Sequence, residues 1–323
     1  QMASIRERMG AVREQIILVL MFCGWYSFSV AATIFTKDLQ QHDFPLATTL
    51  TLCQFIVGTL FGGFLLKVLS VGTFQRASRS NLYGLLVVAA PYSFGHLLTN
   101  YSLMAVSASF AHTVKALEPL YTVVLSQVFL RSSFPLSVYA TLIPTVTGVI
   151  IASGTEVSFT VSGLVSALVS NLCFSIRNVL TFKTGFDDLN LFFYVNGLSV
   201  LMVLPLWILL DVPVLVASEA PSKVILILLL ACSAAHFVYN QLSFAVLVRT
   251  SPVSHSVGNA MRRVAVITMS LAYYRNPLPP INALGTAMAC GGSALYAYNK
   301  SRAKGQATKA SQQGQATKAA HPV

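Results

Sequence analysis

The sequence is poor in charged residues, and poorest in acidic ones. Asp, Glu, Lys and Arg make up 10% of the 323 residues, with 10 acidic side chains against 21 basic ones. Soluble proteins average about 25% charged residues. Because 55% of the residues are hydrophobic, the composition excludes an ordinary soluble protein and indicates a polytopic membrane protein surrounded by membrane lipid. The net charge of +11 is spread over loops, so we predict no nucleic-acid partner.

Motifs of catalysis and metal binding are also absent. The sequence contains no H-E-x-x-H, no G-x-S-x-G and no P-loop G-x-x-x-x-G-K-[ST]. Its five cysteines lie singly in apolar segments without a C-x-x-C pair, which argues against a disulfide framework or a cysteine metal site. We therefore predict a protein that is not an enzyme and that carries no metal or cofactor.

What the chain has instead is ten apolar segments. Each is about 20 residues long, as a membrane-spanning helix requires and a β-barrel strand does not. The segments are 15–35, 46–66, 82–104, 108–130, 135–153, 158–182, 189–210, 224–248, 254–274 and 281–299. We predict an all-α membrane protein of ten transmembrane helices.

The segments between and beyond the spans indicate the orientation. Ten spans place the N-terminal segment 1–14 and the polar tail 300–323 on one side. That side carries 14 of the basic residues outside the spans and the other side carries 3, so the positive-inside rule predicts that both termini lie in the cytosol. The tail repeats Gly-Gln-Ala-Thr-Lys-Ala, and this low-complexity composition predicts disorder.

The two halves of the chain resemble each other. His96–Asn100 in the third span matches His236–Asn240 in the eighth, 140 residues later, and 112–114 matches 255–257, 143 residues later. Since each half holds an odd number of spans, the second half enters the membrane upside down. Inverted repeats are typical of secondary transporters, which bind substrate near the midplane. We predict five-helix repeats at 15–153 and 158–299.

Buried charge in the spans is mostly positive. Four cations, Lys115, Arg177, Arg262 and Arg263, accompany one anion, Glu118. A charge at this depth is costly and usually marks a substrate pathway. Arginine cannot shed its proton, and its planar fork suits phosphate or carboxylate. We therefore interpret Arg262 and Arg263 as an anion site. The alternative for Lys115 is a private ion pair with Glu118, three residues away on one helix.

Helix geometry does not decide whether Arg262 and Arg263 both bind substrate, or whether Arg177 belongs to the site. Arg262 and Arg263 lie about 100° apart around a helix, so one can bind substrate while the other pairs with a neighbour. Arg177 lies six residues before Lys183, roughly 9 Å inside that end of its span at 1.5 Å per residue. Snorkelling toward the interface is an alternative to a site role there.

Polar uncharged side chains occupy one face of the third and eighth spans. His96, Thr99 and Tyr239 can donate hydrogen bonds to phosphate oxygens. Polar residues in membrane helices also join helices together, and we assign that role to Asn100 and Asn240.

Three long motifs resemble one family. Residues 96–100, 108–119 and 251–263 are similar to the plastid phosphate translocators, which include the triose-phosphate/phosphate translocators and belong to the drug/metabolite transporter superfamily. The resemblance covers about residues 14–300. The short N-terminal segment looks most like that of an apicomplexan plastid (apicoplast) member.

The resemblance implies two inverted five-helix halves and exchange of inorganic phosphate for phosphorylated three-carbon compounds (triose phosphate, 3-phosphoglycerate or phosphoenolpyruvate) across a plastid envelope membrane. It also implies which residues bind substrate: Lys115, Arg262 and Arg263 hold the phosphate, assisted by His96, Thr99, Arg177 and Tyr239. The family usually has Lys-Arg where this chain has Arg262-Arg263.

Two other functions are compatible with parts of this pattern. A different drug/metabolite-type carrier, such as a nucleotide-sugar transporter, shares the fold. A membrane enzyme acting on lipid phosphates also uses buried arginines, but it needs a nucleophile or an acid/base pair, and the sequence offers none.

Overall fold

Helices are the regular elements of the part of the chain that the computed structural model describes, which is residues 2–131, 133–181, 186–250 and 252–320. Lys183, counted above among the basic residues, and Ser251, the first residue of the third family motif, lie outside these ranges. The described helices are α1 (Met2–Gln41), α2 (Ala47–Lys67), α3 (Arg79–Ala105), α4 (Ala108–Lys115), α5 (Glu118–Leu130), α6 (Leu136–Ala140), α7 (Leu142–Thr155), α8 (Val161–Thr181), α9 (Asp188–Leu210), α10 (Val212–Ala217), α11 (Lys223–Arg249), α12 (Pro252–Tyr274) and α13 (Pro280–Ala320).

Each apolar segment predicted from the sequence coincides with one helix or with two consecutive helices. The breaks between α4 and α5, α6 and α7, and α9 and α10 come shortly before Pro119, Pro144 and Pro213. Proline has no N–H for the carbonyl four residues upstream, and its ring clashes with that carbonyl. In each case the upstream carbonyl belongs to one of the last two residues of the preceding helix. The prolines therefore account for the positions of the breaks.

Six helical segments among the described residues are long and apolar enough to cross a membrane. They are Val12–Gln41, Ala47–Lys67, Asn81–Ala105, Leu136–Thr155, Leu189–Leu210 and Lys223–Ser243. Helix α4 has only 8 residues and α5 only 13, while α8 and α12 carry arginines and many small polar residues. The protein is an all-helical, multi-pass membrane protein.

The last helix is longer than the sequence predicted. Helix α13 continues from Pro280 to Ala320, through most of the tail 300–323 for which composition predicted disorder. Alanine, lysine, arginine and glutamine are strong helix formers, and no proline follows until Pro322, so the segment is compatible with a helix despite Gly305 and Gly314. The first residue and residues 321–323, at the outer ends of the two predicted terminal segments, lie outside the described residues.

Helices from the two predicted halves pack against each other in pairs. Helix α1 packs on α11, α3 on α8, α2 on α9, α7 on α13 and α4 on α12. Apolar clusters fill the spaces between them, one around Phe110 and Val114, one around Phe55 and Leu85, and one around Leu39. These pairings leave a space in the middle of the bundle that charged and polar side chains line together with apolar ones, and this space holds the site described below.

The crossing of α7 and α13 depends on glycine. A Cβ added at Gly148 would overlap the backbone of Ala289, and one added at Gly292 would overlap Thr145 and lie 2.8 Å from its backbone nitrogen. Small residues let membrane helices approach closely enough for backbone contact. Gly148 on α7 and Gly292 on α13 therefore serve one helix–helix crossing from both sides.

Adjacent glycines on α13 test this crossing. Gly292→Ala should lower the free energy of unfolding by about 1–3 kcal/mol, because the added methyl group overpacks the contact with Thr145. Gly291→Ala is the matched control, since a Cβ there meets nothing within 4 Å. Thermal unfolding of the purified protein in detergent measures both. Equal melting temperatures for the two variants would contradict the packing argument.

Candidate functional site

A cavity of about 520 Å³ lies in the middle of the helix bundle. Helices α1, α3, α4, α5, α8, α11 and α12 each contribute side chains to its wall. All seven side chains predicted to bind substrate line this cavity: His96, Thr99, Lys115, Arg177, Tyr239, Arg262 and Arg263. The fold therefore brings together residues that are up to 167 positions apart in the sequence.

The break between α4 and α5 forms one wall of the cavity. Lys115 is the last residue of α4 and Glu118 the first of α5. A helix carries partial negative charge at its C-terminus and partial positive charge at its N-terminus, so each side chain lies at the helix end that favours its charge. Pro119 has no N–H to donate to the carbonyl of Lys115, which leaves that carbonyl without its helical partner.

Arg263 connects the two sides of this break. Its Nη1 donates to the orphaned carbonyl of Lys115, and its Nη2 lies 2.5 Å from Oε2 of Glu118. The residue is only 6% exposed. Charge-assisted hydrogen bonds of this kind are among the strongest in proteins. Arg263 is therefore held by the protein at two points.

This contact replaces the ion pair considered from the sequence. Spacing of three residues pairs Lys115 with Glu118 only if both lie on one continuous helix, and the break removes that geometry. The carboxylate of Glu118 pairs with Arg263 instead.

Lys115 and Arg262 have neutral partners. The Lys115 Nζ donates to Ser170 Oγ at 3.1 Å and lies 4.7 Å from the centre of the Phe174 ring. Arg262 donates from Nη1 to Ser29 Oγ at 2.9 Å and from Nε to Asn259 Oδ1 at 3.2 Å. Among the residues that the structure describes, neither cation has a carboxylate within 4.0 Å. Their charge is available to a ligand.

Arg177 points into the bundle. Its guanidinium donates from Nε and Nη2 to Asn178 Oδ1, at 3.1 and 2.5 Å, and lies 5.7 Å from the ring centres of Tyr92 and Phe174. A snorkelling side chain would extend toward the membrane surface. The position of Arg177 in the cavity wall favours the site over the interface.

Aromatic rings connect the two halves across the cavity. His96 on α3 makes an edge-to-face contact with His236 on α11, at 4.9 Å between ring centres, and His236 makes another with Tyr239 at 5.2 Å. The Arg262 guanidinium lies 5.5 Å from the Tyr239 ring. His96 and His236, which match each other in the sequence, therefore meet directly, and Tyr239 lies beside a cavity arginine.

The hydroxyl of Thr99 and the amide of Asn100 face different partners. Thr99 Oγ1 donates to the carbonyl of Gly95 and lies 2.7 Å from Ser170 Oγ. The same Ser170 Oγ accepts a hydrogen bond from Lys115 Nζ. Asn100 Nδ2 donates to Thr51 and Gln54, both at 2.9 Å. Asn100 therefore joins α3 to α2, as predicted for a residue that connects helices.

Sequence reasoning missed several residues of the site. Asn178 on α8 and Ser29 and Trp25 on α1 line the cavity, and Ser170 lies behind its wall and accepts a hydrogen bond from Lys115. A helical signal exists for Ser170, since it precedes Phe174 by four residues and Arg177 by seven and so shares their face. Nothing in the spacing marks Trp25.

The cavity carries a net positive charge. Four cations and one carboxylate among its lining residues leave a formal charge of +3. Guanidinium and ammonium groups at several points of one small cavity suit a compact, multiply charged anion such as phosphate.

Known proteins resemble this chain over most of its length. The model of the Triose-phosphate Transporter family matches residues 16–297. Phosphoenolpyruvate/phosphate translocator 3 of Oryza sativa subsp. japonica is 39% identical, with 91% of this chain and 77% of that protein covered. The non-green plastid triose phosphate/phosphate translocator of Brassica oleracea var. botrytis is 36% identical, with 90% and 74% covered.

Solved structures also share the fold, among them the following one. It is 14% identical and gives a TM-score of 0.53, with 84% of this chain and 97% of that chain covered. This similarity concerns the arrangement of helices alone.

Proline 119 provides a test of the broken helix. Pro119→Ala restores an N–H that can compete with Arg263 for the carbonyl of Lys115, which should join α4 to α5 and displace both Lys115 and Arg263. Because a hydrogen bond to a charged group contributes about 1.5–3 kcal/mol, loss of one such contact to a displaced cation should weaken phosphate binding at least about tenfold. Thermal stabilisation of the protein by phosphate measures the affinity.

Pro205→Ala is the control for this substitution. Pro205 lies inside α9 and does not line the cavity. Phosphate affinity should stay at the wild-type value in that variant. Wild-type affinity in Pro119→Ala would contradict a role of the helix break in placing the cations.

Proposed function

Because this chain belongs to the Triose-phosphate Transporter family, we propose that it is a secondary-active antiporter. It exchanges inorganic phosphate for phosphorylated three-carbon compounds, such as triose phosphate, 3-phosphoglycerate and phosphoenolpyruvate, across a plastid membrane. The relatives named above are translocators for phosphate with phosphoenolpyruvate or triose phosphate. The chain is accordingly a transporter and not an enzyme.

The observation that carries this proposal is the excess of cations in the central cavity. A buried charge in a membrane helix is expensive unless a partner or a water-filled space compensates it. Glu118 compensates Arg263, but Lys115 and Arg262 have only neutral partners among the described residues. A phosphate dianion supplies the charge that the protein lacks.

We assign the parts of the cargo to parts of the cavity by charge. Lys115, Arg262 and Arg263 hold the phosphate group, which all the exchanged compounds share. The assisting residues are His96, Thr99, Arg177 and Tyr239. The charge and hydrogen-bonding groups at several points of the wall suit a small molecule that bears phosphate at one end and a polar group at the other.

The packing of the helices supports two inverted five-helix repeats and ten membrane crossings. Helix α2 meets its counterpart α9, α4 meets α12 and α7 meets α13, while α1 with α11 mirrors α8 with α3. A twofold axis in the membrane plane between inverted repeats generates this set of pairs. The break of the fourth crossing between α4 and α5 then lies near the midplane, where transporter helices are commonly discontinuous.

The membrane is that of a plastid, since the relatives are chloroplast and non-green plastid proteins. We propose that both termini face the cytosol, on the side with most of the basic residues. Placement in an apicomplexan plastid (apicoplast) stays a prediction from the sequence.

Strict exchange follows from the same charges. Lys115, Arg177 and Arg262 repel one another most strongly when the cavity closes and loses water, because charges interact more strongly at low dielectric. Closure of the empty cavity is therefore unfavourable, and a bound anion removes the penalty. A carrier that closes only when loaded moves cargo in both directions and does not return empty.

Proteoliposomes test strict exchange. Uptake of labelled phosphate should require internal phosphate, triose phosphate or phosphoenolpyruvate and should be negligible in vesicles without them. Rapid uptake into vesicles without counter-substrate would refute the exchange mechanism. A nucleotide sugar competes with phosphate only if the chain is instead a nucleotide-sugar carrier, so such competition would refute the assigned substrate class.

Substitution of the two cations that have no carboxylate partner among the described residues tests the assigned phosphate site. Lys115→Ala and Arg262→Ala should each reduce exchange at least about 100-fold, since each removes a charged hydrogen bond of roughly 1.5–3 kcal/mol and the charge balance that drives closure. Transport rates of protein that remains monodisperse in detergent give the effect. Lys223→Ala and Arg249→Ala are matched controls, because both residues are exposed and outside the cavity. Wild-type exchange by Lys115→Ala or Arg262→Ala would overturn the assignment.

A further inference from the structure

A continuous chain of hydrogen bonds links two of the cavity arginines. Arg263 Nη2 lies 2.5 Å from Glu118 Oε2, and Glu118 Oε1 accepts from Asn178 Nδ2 at 3.1 Å. Asn178 Oδ1 in turn accepts from Nε and Nη2 of Arg177, at 3.1 and 2.5 Å. The chain runs from α12 through α5 to α8, so it crosses from the second half of the protein to the first and back.

We propose that Glu118 and Asn178 are positioning residues, forming a bridge that holds Arg263 and Arg177 in one arrangement and stays closed while cargo binds and leaves. The inference rests on the proposed function, since it assigns the bridge to the phosphate site. Neither residue was among those predicted to bind substrate.

Burial and charge explain why the bridge stays closed. Glu118 lies in the first turn of α5, where the helix dipole favours a carboxylate. Arg263, at 6% exposure, is also tied to the carbonyl of Lys115. An incoming phosphate that displaced Glu118 would leave a carboxylate without its counter-ion inside the bundle, which is strongly unfavourable. Cargo therefore meets Arg263 with Glu118 still attached.

A closed bridge strengthens binding because it fixes the arginine side chains before the cargo arrives. Arginine side chains have many rotamers, and fixing each one on binding reduces affinity. Arg263 has five N–H groups and uses only some of them on Lys115 and Glu118, so others remain for the cargo. The bridge thus orders both arginines before the cargo arrives.

Asn178→Leu opens the bridge at its middle without changing the charge of the cavity. Arg177 then loses its two contacts with Asn178, and Glu118 loses one of its donors, so more side-chain ordering falls at the moment of binding. We expect the Kd for phosphoenolpyruvate and the KM of exchange to rise roughly tenfold. The kcat should stay within about twofold, because lost ordering weakens ground and transition states alike. Thermal stabilisation by phosphoenolpyruvate gives Kd, and proteoliposome exchange gives KM and kcat.

Two further variants separate positioning from other roles. Glu118→Asp keeps the charge but is one methylene shorter, so it cannot hold both partners, and it should raise KM roughly tenfold as well. In an Arg177→Gln background, Asn178→Leu should add less than about twofold, because residues that act through one another are not additive. Wild-type KM in Glu118→Asp, or a full tenfold effect in the Arg177→Gln background, would overturn the bridge.

Asn282→Leu is the control for loss of a buried amide. Asn282 Nδ2 contacts Glu156 Oε2 at 3.4 Å and the carbonyl of Ala152 at 3.1 Å, outside the central cavity. Its variant should melt at a lower temperature while Kd and KM stay at wild-type values. A tenfold rise in Kd in this control as well would show that Asn178→Leu acts through general loosening and would overturn the bridge.

Failure of the bridge and failure of the proposed function give different results. If wild-type protein is stabilised by phosphoenolpyruvate but exchanges nothing, the antiport function is wrong, and the Kd values still decide the bridge. If wild-type protein exchanges normally and Asn178→Leu matches it in Kd and KM, the bridge alone is wrong. Absence of stabilisation and of exchange in wild-type protein would refute both.

Discussion

The contact of Arg263 with both sides of the broken fourth span is the interaction on which the site depends. Pro119 removes the helical partner of the Lys115 carbonyl, and Arg263 supplies a donor in its place while pairing with Glu118. Because Arg263 is buried and Glu118 is partly buried inside the bundle, removal of either one leaves the other without its partner, which is unfavourable. Arg263→Ala therefore tests stability as much as transport, whereas Lys115 and Arg262 report on the cargo.

The cavity has a net positive charge because four cations and only one carboxylate among the described residues line it. Glu118 neutralises the most buried arginine and leaves a formal charge of +3 among the lining residues. If carboxylates neutralised all four cations, the cavity would not need an anion. If no carboxylate were present, four buried cations would make the fold hard to assemble in a membrane. Partial compensation allows a stable empty protein that still favours an anionic cargo. The same excess charge explains why an empty carrier resists closure.

Much of this arrangement can be predicted from the residues. The length of the apolar segments predicts the helices, and charge within those segments is enough to single out Lys115, Arg177, Arg262 and Arg263. The alternative ion pair of Lys115 with Glu118 gives way to that of Arg263 with Glu118, because helical spacing assumes an unbroken helix and α4 ends at Lys115. The disorder inferred for the tail from its composition stays a prediction, although helix α13 extends to Ala320.

The sequence by itself determined the all-helical membrane character, the excess of buried cations and the family, because each depends on residue type, local order and spacing along the chain. Only the tertiary structure decided which arginine is matched by Glu118, which glycines let α7 and α13 touch, and that Asn178 connects Arg177 to Glu118. Those contacts join residues from different helices. Their geometry arises from packing, which residue spacing within one helix does not describe.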